Sequence, residues 1–164
     1  MSHGTDRYDV KAAAGLSRVR RDGSSYDRAI DAVSSDAEEW FADRVGGIVD
    51  TSVHDRHGDH GYDVVVMLPC GERVRIDVVH LGLLPDGTPR PASGARLIVN
   101  RDSIKLLRSD VIVVMTGPPF VVVGAIHTIR FLALAREQDL GFGIKFVLPV
   151  AQLPALRAVL PVTV

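Results

Sequence analysis

The sequence predicts an α/β fold, a central mixed β-sheet flanked by helices. Three observations predict it. Val111 to Met115 and Val121 to Ile126 are nearly unbroken apolar runs rich in β-branched residues, as in strands buried on both faces of a sheet. Tyr62 to Leu68 and Arg73 to Leu81 are a second pair of strand-like runs, and Pro69-Cys70-Gly71-Glu72 between them has the length and glycine of a hairpin loop. Helical periodicity interleaves with these runs before the hairpin and after the second apolar pair.

The chain of 164 residues suits one domain with a sizeable core. A hydrophobic share of 46% and a charged share of 24% are those of an ordinary globular protein. With a net charge of −1 there is no global basic field, so a nucleic-acid partner would require segregated charge. The lone Cys70 cannot form an internal disulfide and points to a reducing interior or to indifference to redox. The polar N-terminus lacks the apolar segment of a signal peptide, and Pro118 and Pro119 interrupt the longest apolar run. A cytoplasmic protein with no membrane partner is expected. Neither a glycine-rich phosphate loop nor a nucleophile elbow is present, which removes two large enzyme classes.

In chain order, Met1 to Ser25 reads as a flexible tail bearing the basic run Arg18-Val19-Arg20-Arg21, and residues 26–164 as the α/β domain. Tyr26 to Val33 has some helical character. The clearer helix starts at Ser35, where Ser35-Asp36-Ala37-Glu38 has capping-box spacing and Ala37, Trp40, Phe41 and Val45 recur at helical intervals. Gly46-Gly47 ends it. Ile48 to Val53 is expected as the first strand. The loop after it carries His54, His57 and His60; its glycines argue against the helix that a zinc cluster of this spacing would need. Beyond the hairpin, Leu83 to Ala95 is a long loop, either functional or poorly ordered, and Arg90 and Arg96 are candidates to line a nucleic-acid groove. A short strand at Leu97 to Val99 and a short helix from Ser103 to Arg108 follow. After the two apolar strands, Thr128 to Arg136 reads as a helix with Ile129, Leu132 and Ala133 inward. Ile144 to Leu148 is the last strand, and Pro149 to Leu160 a helix interrupted near Pro154.

The chemistry lies in the hairpin. Alternation puts Asp63, Val65 and Met67 on one strand face, and Arg73, Arg75, Asp77 and Val79 on one face of the partner, with Val74, Ile76 and Val78 opposite. Two aspartates on neighbouring strands repel each other unless a cation sits between them. A divalent metal is the economical explanation, although Asp63 and Asp77 paired with Arg73 and Arg75 as a surface ladder is an alternative.

A helix carrying a glutamate, a strand opening Gly61-Tyr62-Asp63, a hairpin and a second strand Arg75-Ile76-Asp77-Val78-Val79 together resemble the restriction-endonuclease-like PD-(D/E)XK nuclease superfamily. The later strands and helices extend the resemblance over roughly residues 27 to 160. It implies a restriction-endonuclease-like fold and a Mg²⁺- or Mn²⁺-dependent DNA endonuclease. Asp63 would be the first acid and Asp77 the second, with Glu38 and the Val78 carbonyl completing the metal site. Glu38 also stands where a capping box places its glutamate. Val79 occupies the position of the motif lysine, so the missing positive charge would fall to Lys105 or Arg75. The resemblance equally admits a catalytically inactive module that binds nucleic acid or acts as a homodimer or subunit of a larger assembly, for example in a phage or mobile element.

Overall fold

A computed structural model describes residues 25–50, 61–141, 143–162 and 164. The tail through residue 24, its arginine run, and His54, His57 and His60 lie outside the described residues. The elements are α1 (Ser25–Val45), β1 (Ile48–Val49), β2 (Val64–Met67), β3 (Arg73–His80), β4 (Arg96–Asn100), α2 (Lys105–Arg108), β5 (Val111–Thr116), β6 (Val121–His127), α3 (Thr128–Leu134), β7 (Arg136–Asp139), β8 (Ile144–Pro149), a 3₁₀ turn (Val150–Gln152) and α4 (Leu156–Val159). Among the described residues no helix is long and apolar enough to cross a membrane.

Two sheets form. The larger is mixed, in the order β1-β2-β3-β5-β6, antiparallel throughout except for the parallel pair β3 and β5. The smaller has the order β4-β8-β7 and is wholly antiparallel. Its β4 lies within the connection between the two parallel strands.

Alternation along β3 and β5 makes the layers. Val74, Ile76, Val78, Val111, Val113 and Met115 turn to one side, where Ala37, Phe41 and Ala42 of α1 cover them together with Leu156 and Leu160. Ile112, Val114 and Ile126 turn to the other side and meet Leu97, Val99 and Leu148 of the small sheet and Phe131 of α3. Helix, large sheet and small sheet thus enclose two apolar cores. The central β5 is buried from Val111 to Met115, as its unbroken apolar sequence requires.

Helix α1 runs continuously through Ser35, so the capping-box spacing there marks an interior turn and not a start. Buried Val33, Ala37 and Phe41 carry one apolar stripe across the serines, and packing along that stripe overrides the local preference of serine for a cap. Gly46, at φ +67°, does end the helix. Strand β1 covers Ile48–Val49, and residues 51–53 of the expected strand lie outside the described residues. The long loop is stitched: Leu83 bridges Pro89, Leu84 N–H donates to the Thr88 carbonyl at 2.8 Å, and the Thr116 hydroxyl donates to the Arg90 carbonyl at 2.7 Å.

The inward face assigned to α3 is corrected. Ile129 is 80% exposed and Leu132 and Ala133 are also exposed, while Thr128 and Phe131 are buried and Ala135 packs beside them. Residues 128, 131 and 135 have helical spacing too, and the direction in which β6 delivers the chain selects between the two stripes. The expected helix also stops before Arg136, which starts β7 instead.

Candidate functional site

The hairpin forms in the expected register, with Val64 paired to Ile76 and Met67 to Arg73. One step beyond Val64 and Ile76, Asp63 stands across from Asp77. Asp63 N–H donates to the Ile76 carbonyl at 2.8 Å, and Val78 N–H donates to Asp63 Oδ2 at 2.9 Å, fixing that carboxylate beside the second strand. Asp77 is 1% exposed on the face that meets the small sheet. Glu38, on α1, is 5% exposed and close enough to Asp63 to repel its charge.

The cation in this cluster is Lys105. Its ammonium lies 2.9 Å from Asp77 Oδ1. It acts there as a charge partner without hydrogen-bond alignment, since no N–H or hydroxyl donor is aligned on either Asp77 oxygen. Burial pushes the Asp63 carboxyl well above the usual carboxylate range, Glu38 and Asp77 push it further, and Lys105 opposes them. Part of the Asp63 residue reaches solvent, but its carboxyl is enclosed. Asp63 and Asp77 therefore lie within the field of one lysine, and the charge of Glu38 adds to the repulsion at Asp63.

Lys105 is 28 residues beyond Asp77, and two local devices bring it back. Gly61, at φ +85°, packs so closely on α2 that a Cβ there would sit 2.8 Å from Arg108 Cβ and 2.9 Å from the Ile104 carbonyl oxygen. The buried Ser109 hydroxyl donates to the Lys105 carbonyl at 2.6 Å and meets the Thr128 hydroxyl at 3.0 Å, tying the end of the short helix to α3. Replacing Gly61 with alanine forces a side chain into the left-handed region and against α2 backbone. We expect a loss of about 2–3 kcal/mol, measured by denaturant unfolding.

Arg75 does not join the acids. Its Nε and Nη2 donate to Asp110 Oδ2 and Oδ1 at 3.1 and 3.0 Å, and its backbone N–H donates to Oδ2 at 2.8 Å. Asp110 N–H donates to the Arg75 carbonyl at 2.8 Å, so the two residues clamp the start of β5 to β3. Burial raises the Asp110 carboxyl, but the side-chain and backbone bonds from Arg75 outweigh this and hold it below its usual range. The surface ladder of Asp63 and Asp77 with Arg73 and Arg75 is absent: Asp77 is buried on Lys105, and Arg75 belongs to Asp110.

Asp63, Asp77 and Lys105 are thus brought together, Glu38 bears on Asp63 through its charge from α1, and Val79 contributes apolar contact to the second core. Among the described residues no three His, Cys, Asp or Glu side chains are grouped to hold a metal ion. No family model matches the sequence, and no curated protein or solved structure matches it either.

Proposed function

We propose that the chain is a metal-dependent DNA endonuclease of restriction-endonuclease-like PD-(D/E)XK type in which Lys105 replaces the motif lysine. The observation that carries this reading is the buried Asp77 carboxylate held against Lys105 beside the enclosed Asp63 carboxyl, with the charge of buried Glu38 within reach of Asp63. Such a cluster weakens the fold, because like charges are desolvated together, and groups perturbed in this way concentrate at functional sites. The glutamate-bearing helix, the acid-bearing hairpin and the parallel strand beside it support the same reading.

The residues fit Mg²⁺ or Mn²⁺. Both are held by hard oxygens, and Mg²⁺ needs only one or two protein carboxylates because it keeps much of its water. Asp77, whose two buried oxygens lack an aligned donor, and Asp63 would be the ligands, with Glu38 and the Val78 carbonyl as further oxygens. Bound there, the ion would supply Lewis-acid polarisation of a phosphate oxygen and a lowered pKa for water. To hold the ion Asp63 would have to be ionised, and Lys105 would be the cation placed to offset charge developing on a phosphate, as Val79 cannot.

A catalytically inactive nuclease-fold module is favoured by two observations: Lys105 already pairs with Asp77, and no three ligands are grouped among the described residues. Supercoiled plasmid incubated with Mg²⁺ or Mn²⁺ decides between them. Cleavage by the wild type that disappears in Asp77→Ala is expected, and no cleavage with either ion would overturn the endonuclease in favour of the module.

A further inference from the structure

The small sheet has an outer face of one charge sign. Residues directly opposite in a sheet point the same way, and residues two apart along a strand share a face. Arg96 pairs with Pro149, Ile98 with Val147 and Asn100 with Lys145, while Arg136 pairs with Val147 and Gln138 with Lys145. The inner face, through Leu97, Val99 and Leu148, is buried in the second core. Arg96, Arg136 and Lys145 therefore stand together on the other side.

Among the described residues of these three strands no carboxylate shares that face. Glu137 and Asp139, the acids of β7, alternate to the opposite side, where Glu137 meets Arg101 at 3.8 Å. Lys145 Nζ donates to Asn100 Oδ1, which leaves two of its three donors for a ligand. Arg96 and Arg136 are exposed. Together with Gln138 and Gln152 they wall a hollow of about 410 Å³ whose floor includes Val147. Arg96 and Arg136 sit on the two outer strands, two strand spacings and two residues apart, roughly 12 Å between backbones. At that separation exposed charges are largely screened from each other at physiological salt, so each can take its own phosphate. The chain as a whole has a net charge of −1, so this is local segregation and not a global basic surface.

We propose that the outer face of the β4-β8-β7 sheet, through Arg96, Arg136 and Lys145, holds the phosphate backbone of duplex DNA. The inference rests on the nuclease reading for its choice of DNA. Guanidinium groups match phosphate oxygens bidentately, and glutamines and an ammonium add donors without sequence preference. The face shares no residue with the Glu38, Asp63, Asp77 and Lys105 cluster, so holding DNA and cutting it are separable.

The test is fluorescence anisotropy of a labelled duplex with the full chain in chelator, across a salt series. Each phosphate contact contributes about −0.9 to the slope of log K against log salt. The double variant Arg96→Ala/Arg136→Ala is expected to lower that slope by about 2 and to weaken binding at least tenfold at low salt. Its melting temperature should stay that of the wild type, because both side chains are exposed. An unchanged slope would overturn the proposal, as would loss of binding to anionic lipid vesicles with duplex binding intact. A protein that fails to cleave plasmid but retains this arginine-dependent slope would sink the endonuclease and leave the DNA-holding face standing.

Discussion

Replacing Lys105 with methionine is expected to lower metal-dependent plasmid cleavage by about 10²–10³-fold, the usual cost of losing one group that stabilises developing charge. Methionine keeps most of the aliphatic stem and removes only the cation. Asp77, 1% exposed, would then lose its counter-charge beside Asp63. Truncating one partner of a fully buried ion pair costs about 3–5 kcal/mol. The Lys105 side chain is 32% exposed, so screening reduces the figure here to roughly 1–3 kcal/mol. Lys105→Arg separates the two effects. It restores the charge and most of the stability, but a planar guanidinium at this close contact does not reproduce a point charge, so cleavage should recover only in part. Quantified plasmid nicking and urea unfolding on the same three proteins check it. Full cleavage by Lys105→Met would remove the lysine from the mechanism and leave it a structural counter-ion.

The hairpin and the opposition of Asp63 and Asp77 were legible because strand alternation and loop length fix them locally. Lys105 could be put forward from sequence only as one of two cations. The choice over Arg75 depends on Asp110, which directly precedes the next parallel strand and takes two of the three guanidinium nitrogens for itself. Gly61 carried a readable signal, a glycine directly before the strand. Its reason, the approach of α2, is a long-range contact that no local period reports. The small sheet was half visible. Strands β4 and β8 alternate with apolar residues, but Arg136-Glu137-Gln138-Asp139 has neither an apolar period nor β propensity and is a strand only because β8 offers it an edge. The cationic face follows from that pairing. Arg96 was a candidate as a loop residue, and only the register of three strands sets Arg136 and Lys145 beside it.

Replacing Asp63 with asparagine is expected to stabilise the metal-free protein at neutral pH, and the pH dependence follows from the direction in which burial and its acidic neighbours move its carboxyl. The folded state holds the Asp63 proton more tightly than the unfolded chain, whose value is near 3.8. Below that value both states are protonated and the contribution to stability is fully present. As pH rises, the unfolded state releases its proton first, and stability falls until the raised folded value is passed, by at most about 1.4 kcal/mol per pH unit for one proton. Asparagine imitates the protonated acid: its carbonyl oxygen can keep the bond from Val78 N–H, and its amide can donate to Asp77. It does not titrate, so this decline is absent from Asp63→Asn. Denaturant unfolding from pH 4 to 8 in chelator should show the variant pulling ahead of the wild type as pH rises, with the two nearly level at the acid end. Parallel curves would mean that Asp63 carries no trapped proton. Divalent metal acts in the opposite sense, because an ion held by Asp63 and Asp77 stabilises only the protein that retains both acids. At a hundred times its dissociation constant that stabilisation is about 2.7 kcal/mol. Mn²⁺ should therefore raise the wild-type curve at neutral pH and leave the Asp63→Asn curve where it was, and an equal response from both would place the ion elsewhere on the protein.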